Sequence, residues 1–401
     1  MKSSSLKYAV VLGLLSAVGP FAIDMYLPAL PAISADLDAS TAATQMTLMV
    51  FFVTFAVAQL AYGPISDMVG RKKPLYFGLV VFALGGIGSG LAPSIEWLIF
   101  FRFIQGIGAA AAMVIPRAVI RDLHTGVEAA RLMATVMLVF SVAPILAPLI
   151  GSAIIIPFGW RAVFVAITLV AVLGVFLVAF ALPETLTAEK RARFSLRTAG
   201  SSFATLFRDP RFLGLTFIGG LGLSSFFAFI ANASFIYIDH YGMSPLQFSI
   251  AFSVNAVGFI GASQFSARLA GRHGFNRVIM TAVSTYAVIA LLLLAVTAIG
   301  FDSLAVLMTG LFFAFSCLGL VIPSSMVLAL EEHGPIAGVA SALGGTLQFL
   351  TGAIMIVIAS LVFDGTSLPM VAIIAACAVG AFVLSMLTLR RRAQPVPAPA
   401  E

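Results

Sequence analysis

The chain has 401 residues, of which 61% are hydrophobic and only 9% are charged. Soluble proteins carry about 25% charged residues, and a helix needs about 20 apolar residues to cross a bilayer. Apolar runs of that length recur along the whole chain, which excludes a sizeable soluble domain. The composition therefore predicts an all-α polytopic membrane protein embedded in a lipid bilayer.

Apolar runs and the residues that interrupt them predict twelve membrane spans, near 7–31, 42–65, 74–93, 96–121, 131–157, 160–182, 211–238, 245–269, 276–299, 303–330, 336–362 and 367–389. The longest polar stretch divides six spans from six, as in transporters built from two repeated halves. We therefore expect a six-helix bundle in residues 1–183, a cytoplasmic linker in 184–210, a second bundle in 211–390 and a cytoplasmic tail in 391–401.

The net charge of +6 is compatible with a nucleic-acid partner, but the positions of the basic residues indicate a membrane orientation instead. If the N-terminus is inside, the inside segments hold 19 of the 22 Lys and Arg residues, and the outside segments hold only Arg161. Arg102 and Arg117 fall within span four. Because cytoplasmic loops carry an excess of Lys and Arg, we expect both termini on the cytoplasmic side of a bacterial inner membrane and no nucleic-acid partner.

Asp24 lies inside the first span, where an acidic side chain at the helix centre costs about 2.5–3.5 kcal/mol. Counted from Lys7, it lies about 25 Å along the helix, in the outer half of the bilayer. Ionisable groups inside membranes usually serve function, so a site that takes up and releases a proton is the favoured interpretation. A structural ion pair or a helix end facing water is the alternative. Pro20, Pro28 and Pro31 predict bends near the outer end of this span.

Arg102 begins the stretch "RFIQGIGAAAA" in span four. It follows Glu96, at the outer boundary, by about 9 Å of helix, so its depth is comparable with that of Asp24. We expect the two side chains to meet in a central cavity, where each compensates the desolvation of the other. A purely structural bridge between spans one and four is the alternative.

The spans of the second half contain no buried acid, but they contain amide and aromatic side chains. A cavity lined by such groups suits amphipathic organic molecules. For any single residue of this kind, an interhelical hydrogen bond or a lipid-facing ring is the more common role. To the lining of a central substrate cavity we assign Tyr26, Gln105, Phe226, Phe229, Asn232, Asn255 and Gln348.

Two further stretches carry spaced glycines and prolines. In "GPISDMVGRKK", between spans two and three, Gly63 and Gly70 permit tight turns, Asp67 offers an acceptor, and the basic residues from Arg71 hold the loop inside. An ordinary inside loop explains the basic residues, but neither the aspartate nor the glycine spacing. In "SVAPILAPLIGS" of span five, two prolines four residues apart predict a bend and a close-packed seam, as in any kinked membrane helix.

Together with "IDMYLPALPAI" and "ATQMTL", these stretches resemble the major facilitator superfamily, specifically its drug:proton antiporters with twelve spans and, among them, the Bcr/CflA group of bicyclomycin resistance proteins. The resemblance runs over nearly the whole chain. It implies the major facilitator fold of two pseudo-symmetric six-helix bundles and alternating access to a central site. It also implies a small-molecule substrate, protons as the coupled ion, no cofactor and a monomer.

The resemblance further assigns roles to individual residues. Asp24 is coupled to proton movement, with Arg102 as its partner. A conformational latch is formed by Gly63, Asp67, Gly70 and Arg71, with Asp67 facing the start of span eleven, where a helix N-terminus favours negative charge. The antiporter motif of span five, which helps to seal one conformation, comprises Pro144, Pro148 and Gly151. The second-half loop "AGRHGFNR" has no aspartate equivalent to Asp67, so we expect a weaker latch there.

These observations predict a proton-coupled efflux transporter that exports amphipathic organic compounds such as antibiotics. The alternatives are an exporter of a small metabolite (an amino acid, nucleoside or sugar) and an uncoupled or uptake carrier. An enzyme is the least expected class, because no span shows a nucleophile–base constellation or a paired His/Asp metal site. The four histidines have no metal-ligand spacing either, so we expect no metal.

Overall fold

A computed structural model of the protein describes residues 3–124, 126–191 and 196–389. These residues form fourteen α-helices: α1 Ser3–Asp24, α2 Leu30–Asp36, α3 Thr41–Val69, α4 Lys72–Gly90, α5 Ile95–Leu123, α6 Gly126–Phe158, α7 Arg161–Phe180, α8 Leu196–Arg208, α9 Pro210–Ser234, α10 Pro245–His273, α11 Phe275–Ala298, α12 Leu304–Glu331, α13 Ala337–Val362 and α14 Leu368–Leu389. Twelve segments are long and apolar enough to cross a membrane, which confirms the predicted number of spans.

The predicted bounds differ from the observed ones mainly where a helix continues beyond a proline or a polar residue. Helix α3 contains Pro64 and continues to Val69, where Gly70 ends it with a φ of 95°. Helix α10 likewise continues to His273, before Gly274 with a φ of 78°. Left-handed angles of this kind favour glycine because it has no Cβ. The prediction of a tight turn at Gly63 is wrong, because this residue lies within α3.

The linker between the halves contains one element that the apolar runs did not predict. Helix α8 is amphipathic and too short and polar to cross a bilayer. Its Leu206 is fully buried and packs with Phe212 of α9 and Leu343 of α13. The second half is thus covered at one end by a helix that belongs to the linker.

The two sets of six membrane spans repeat one packing pattern. Helix α1 packs on α5, α6 and α7, and α9 packs in the same way on α12, α13 and α14. The contacts of α3 with α5 recur between α10 and α12, and those of α4 with α5 and α7 recur between α11 and both α12 and α14. Between the halves, α3 packs on α13 and α6 packs on α10, and these pairs are also equivalent. The structure is therefore a pseudo-symmetric pair of six-helix units.

The two ends of the helix bundle differ in charge, and we name them accordingly. The basic end contains the α3–α4 connection with Arg71, the start of α9 with Arg211, and the α10–α11 connection with Arg272. The far end contains the α4–α5 connection and the acidic residues Asp36 and Asp302.

Candidate functional site

The first span is broken where the sequence predicts bends. Helix α1 ends at Asp24, a 3₁₀ turn covers Leu27–Ala29, and α2 begins at Leu30. Pro28 and Pro31 lie in the first turns of the latter two elements, where a missing N–H costs no hydrogen bond. The prolines therefore start new helical segments, and Asp24 lies at a helix end inside the membrane.

The Asp24 side chain is only 5% exposed. Within the described part of the chain, its carboxylate has no hydrogen-bond or ion-pair partner. The backbone of the following residue, Met25, lies directly against Gly151 of α6, where an added Cβ would come within 2.9 Å of the Met25 Cα. This contact explains the glycine of the span-five motif, because a larger residue would push α6 away from the break beside Asp24.

Arg102 is fully buried in α5 and is held by groups other than Asp24. Its Nη1 donates to the Ala22 carbonyl oxygen at 3.2 Å and to Gln105 Oε1 at 2.6 Å. Its guanidinium carbon lies 4.7 Å from the centre of the Tyr26 ring and 4.3 Å from that of Phe51. The expected direct pair between Asp24 and Arg102 is thus not formed in this conformation. Cation–π contacts and a carbonyl stabilise the buried cation instead.

The guanidinium retains free hydrogen-bonding capacity. Among the described residues its Nε and Nη2 donors have no partner, and the Gln105 amide nitrogen has none either. The Ala22 carbonyl that it binds lies two residues before Asp24 on α1. The site therefore contains a buried carboxyl group and a buried guanidinium cation on neighbouring helices.

Tyr26 connects Arg102 to helix α3. Its hydroxyl is 2.7 Å from Thr47 Oγ1, and Thr47 in turn donates to the Thr44 carbonyl oxygen at 2.6 Å. The tyrosine is fully buried and its ring packs on Phe164. Tyr26, assigned by sequence to the substrate cavity, is thus in this conformation a buried support of Arg102. Thr47 lies within the stretch "ATQMTL". That motif could have indicated from the sequence that Thr47 belongs to the site.

The far end is closed by contacts between the two halves. Gln45 Nε2 of α3 donates to the Ala231 carbonyl oxygen at 3.1 Å and to Asn232 Oδ1 at 3.0 Å. The Asn232 amide donates to the Ala228 carbonyl oxygen at 2.8 Å. Asn232, predicted to line the cavity, therefore lies in the contact that closes the far end.

The span-five motif forms a second contact between the halves. Ser249 of α10 donates to the Pro148 carbonyl oxygen at 2.9 Å, and Ser253, one turn later, donates to the Ile145 carbonyl oxygen at 2.8 Å. Each hydroxyl also bonds to a carbonyl oxygen of its own helix. Neither serine was selected from the sequence, because a lone serine in an apolar span carries no local signal. The pair seals α6 against α10.

The remaining predicted cavity residues are dispersed in this conformation. Phe226 and Phe229 pack into a cluster of rings, with Phe229 5.7 Å from Phe252. Gln348 Nε2 donates to the Thr216 carbonyl oxygen at 3.3 Å within the second half. The sequence-predicted lining is therefore not assembled around one open cavity here. An apolar groove of about 680 Å³ lies between α3, α4 and α5, and none of the residues assigned to the substrate cavity is among those that line it.

The predicted latch residues meet at the basic end of the first half. Arg71 is 5% exposed and binds Asp67 Oδ1 at 2.5 Å and Asp122 Oδ2 at 2.7 Å. Burial opposes the charge of Arg71, but the two carboxylates outweigh it and raise the pKa of the guanidinium above its usual range. Asp67 forms its ion pair with Arg71 of its own half, and its expected position facing the start of α13 stays a prediction.

Gly70 and Glu184 complete this network. Glu184, after α7, accepts the Arg71 N–H at 2.9 Å and the Lys72 N–H at 3.1 Å. Desolvation opposes the charge of this carboxylate, but the N–H donors and the Arg191 cation outweigh it and lower its pKa. At Gly70 an added Cβ would lie 2.7 Å from Glu184 Oε2. Asp122 and Glu184 were missed by sequence reasoning, although both are acids among the basic residues of this end.

The basic end of the second half is held by different pairs. Asp209 caps α9 by accepting the Arg211 N–H at 2.8 Å, and its other oxygen lies 2.8 Å from His333 Nε2. Arg211 binds Glu332. Desolvation opposes ionisation of Asp209, but backbone N–H groups and His333 outweigh it and lower the pKa of the carboxyl. These contacts join the start of α9 to the segment that follows α12, and residues of the "AGRHGFNR" loop take no part in them.

The fold and the site together define a class of protein. Two six-helix units of one packing pattern, joined by hydrogen bonds between the halves, form the architecture of an alternating-access membrane transporter. The chain belongs to the Major Facilitator Superfamily, whose sequence profile matches residues 12–356.

Individual relatives agree with this assignment. The chain is 37% identical over 392 residues to the uncharacterized MFS-type transporter YdgK of Bacillus subtilis, covering 97% of both chains. It is 34% identical over 381 residues to a bicyclomycin resistance protein homolog of Haemophilus influenzae, covering 94% of this chain and 95% of that one. The crystal structure of a D-xylose-proton symporter has a TM-score of 0.73 at 18% identity, covering 95% of this chain and 96% of that one, and so shares the fold. The predicted resemblance and the predicted fold are confirmed.

Proposed function

We propose that the protein is a drug:proton antiporter that exports small amphipathic compounds, antibiotics among them, across the bacterial inner membrane as a monomer with both termini in the cytoplasm. The observation that carries the proposal is Asp24, a carboxylate buried at a helix break without a partner in the described residues. The printed name of the Haemophilus influenzae relative, which refers to bicyclomycin resistance, supports a drug as the substrate. The distribution of Lys and Arg supports the orientation.

The proposed mechanism uses the two halves as rocking units, residues 1–183 and 211–390, joined by the linker 184–210 and followed by the tail 391–401. The described conformation is closed at the far end, so the transport cycle requires a second conformation in which the contact of Gln45 with Asn232 is broken. Protonation of Asp24 and binding of substrate must favour different conformations, because a ligand with equal affinity for both shifts neither.

Arg102 would assist this exchange of partners. In the proposed second conformation the Nε and Nη2 donors of Arg102, which have no partner among the described residues, would stabilise an ionised Asp24. When Asp24 is protonated, the arginine returns to the carbonyl and the two rings that hold it in this structure. The networks around Arg71 and Asp209 would keep each half rigid at the basic end while the halves move apart.

The test is transport of bicyclomycin by the protein in proteoliposomes under an imposed pH gradient. Uptake is measured where the protein is everted, and release is measured where it is right-side-out. We expect Asp24→Asn to abolish gradient-driven transport, because the amide cannot take up a proton, while the protein stays folded. Glu96→Gln is the matched control, since Glu96 is an exposed carboxylate of the same half and should retain wild-type rates. Full gradient-driven transport by Asp24→Asn would refute the coupling role. Transport of amino acids, nucleosides or sugars instead of drugs by the wild type would identify a metabolite exporter.

A further inference from the structure

The apolar groove between α3, α4 and α5 opens on the side of the first half that faces away from the second half. Helix α4, which forms one wall, packs on α3, α5 and α7 of its own half. Apart from Thr54 and Tyr62, all the side chains that line the groove are apolar. Val57, Phe77 and Phe103 each contribute one wall and are 54%, 61% and 45% exposed. In a protein that crosses a bilayer, such a groove is open to the hydrocarbon tails of lipids.

The groove has the length of a lipid tail. Along α3 its lining runs from Val53 to Val69, a distance of about 24 Å at 1.5 Å per residue. One leaflet provides about half of the hydrocarbon core, or about 15 Å. Ala58 and Ala61 lie between these two ends, and their short side chains keep the space open. A whole acyl chain of the leaflet at the basic end therefore fits along α3.

Two cations stand at the basic end of the groove. Lys73 precedes Phe77 by four residues on α4, so the two side chains lie on the same face of the helix. Arg121 follows Phe103 by five full turns of α5 and so lies on the face that lines the groove. Both cations are exposed, and neither has a hydrogen-bond or ion-pair partner among the described residues.

The acidic side chains nearby are engaged with other groups. Asp67 and Asp122 bind the Arg71 guanidinium, and Glu184 accepts the N–H groups of Arg71 and Lys72. The two exposed cations are therefore available to an anion from outside the chain. In the proposed orientation this end faces the cytoplasm, and the cytoplasmic leaflet is the one that presents anionic lipid headgroups to basic residues beside membrane helices.

A second copy of the chain fits the groove less well than a lipid does. Two copies inserted in the same direction and packed groove to groove would bring the same two cations, Lys73 and Arg121, against each other. The phosphate of a lipid brings the opposite charge to the same place, and its tail supplies the apolar surface that the groove lacks.

We propose that the groove is a binding site for a phospholipid of net negative charge. One acyl chain lies along α3 between Phe77 and Phe103, and the phosphate lies between Lys73 and Arg121. This site goes beyond the proposed function, because no step of drug or proton movement uses these residues.

The test is lipid binding to the purified protein in detergent, measured by native mass spectrometry. The probes are phosphatidylglycerol, which has a net negative charge, and phosphatidylcholine with the same acyl chains, which has none. For phosphatidylglycerol we expect Kd to rise about fivefold in Lys73→Gln and in Arg121→Gln, and about 25-fold in the double variant. For phosphatidylcholine the same variants should change Kd by less than about twofold. Arg272→Gln is the matched control, since Arg272 is an exposed arginine at the basic end of the second half.

Filling the groove tests the position of the acyl chain. Ala61→Phe should raise Kd about fivefold or more for both lipids, because the ring takes the place of buried methylene groups. Ala376→Phe is its control, since Ala376 is an exposed alanine of α14 outside the groove. Thermal unfolding checks that Ala61→Phe is folded, and the two glutamine variants test the site without it.

Equal affinity of the wild type for the two lipids would overturn the inference, and so would unchanged phosphatidylglycerol binding in the double variant. Equal losses in the variants and in their controls would show lipid binding without a site. A dimer that Ala61→Phe dissociates, with lipid binding unchanged, would place a second copy in the groove instead. Because no transport is measured, failure of proton-driven export would refute the proposed function and leave the lipid site in place.

Discussion

Gly70 is a position at which the structure predicts a clear destabilising effect of a single added methyl group. Its backbone φ of 95° lies in a region that residues with a side chain rarely adopt. A Cβ would also lie 2.7 Å from Glu184 Oε2, 3.0 Å from Glu184 Cδ and 3.1 Å from Arg191 Nη2. Gly70→Ala therefore strains the backbone and pushes Glu184 away from the N–H groups of Arg71 and Lys72 that it binds.

The two effects can be given a magnitude. The backbone strain costs about 1–3 kcal/mol. Each hydrogen bond to the ionised Glu184 contributes about 1.5–3 kcal/mol when buried, and less here because this carboxylate is exposed. We therefore expect Gly70→Ala to lower the free energy of unfolding by about 2–4 kcal/mol. Gly63→Ala should be neutral or gain up to about 1 kcal/mol, because Gly63 lies inside α3 with nothing within 4 Å of an added Cβ.

Thermal unfolding in detergent, followed by intrinsic fluorescence, measures this difference. Both tryptophans, Trp97 and Trp160, lie in the first half and report on the part of the molecule that contains Gly70. Glu184→Ala removes the clashing group, so Gly70→Ala made in that background should show only the cost of backbone strain. Wild-type unfolding of Gly70→Ala, or equal destabilisation by Gly63→Ala, would refute the reasoning.

Two further predictions concern the far end and the part of the basic end that belongs to the second half. Gln45→Leu removes two hydrogen bonds between the halves, so hydrogen–deuterium exchange of residues 228–240 should increase; unchanged exchange would show that the contact does not close the far end. Asp209 has a lowered pKa, so its stabilising effect is complete above its unfolded pKa of about 4 and is lost as the pH falls through the lower folded value. Asp209→Asn should therefore be less stable than the wild type at pH 6, with the difference vanishing toward about pH 2. A difference that stays constant over this range would contradict the assignment.

The membrane spans were predictable because one physical term determines them. A helix must bury about 20 apolar residues in the bilayer. A run of consecutive apolar residues in the sequence shows directly where this requirement is met. The predicted second span ends at residue 65, beside the turn expected at Gly63, whereas α3 continues to Val69 before Gly70. Helix α8 was missed because a short amphipathic helix gives no apolar run and its burial depends on residues distant in the sequence, such as Leu343.

The candidate site was predictable only in its unusual residues. Asp24, Arg102 and Arg71 are charges in apolar surroundings or in spaced motifs, so the sequence shows that they need an explanation. Their partners depend on helix packing, which one sequence does not encode locally. The expected Asp24–Arg102 pair competes with two aromatic rings and a carbonyl that lie closer to the guanidinium in this conformation. In the sequence, Gln45 and the serines of α10 are ordinary polar residues. Their contacts with α9 and α6 are visible only once the helices are packed.

The hydrogen bonds between the two halves determine how much free energy is needed to separate them. Five hydrogen bonds of described residues cross from one half to the other: two from Gln45, one each from Ser249 and Ser253, and one from Thr346 to the Ala56 carbonyl oxygen. At about 0.5–1.5 kcal/mol each, the four bonds of Gln45, Ser249 and Ser253 contribute about 2–6 kcal/mol to closure of the far end. All five are neutral, so a change of pH does not break them directly. In the proposed mechanism, opening is driven through Asp24, which lies beside the contact of Met25 with Gly151 of α6. A shift of a few kcal/mol from its protonation, combined with substrate binding, is of the size needed to exchange the two conformations.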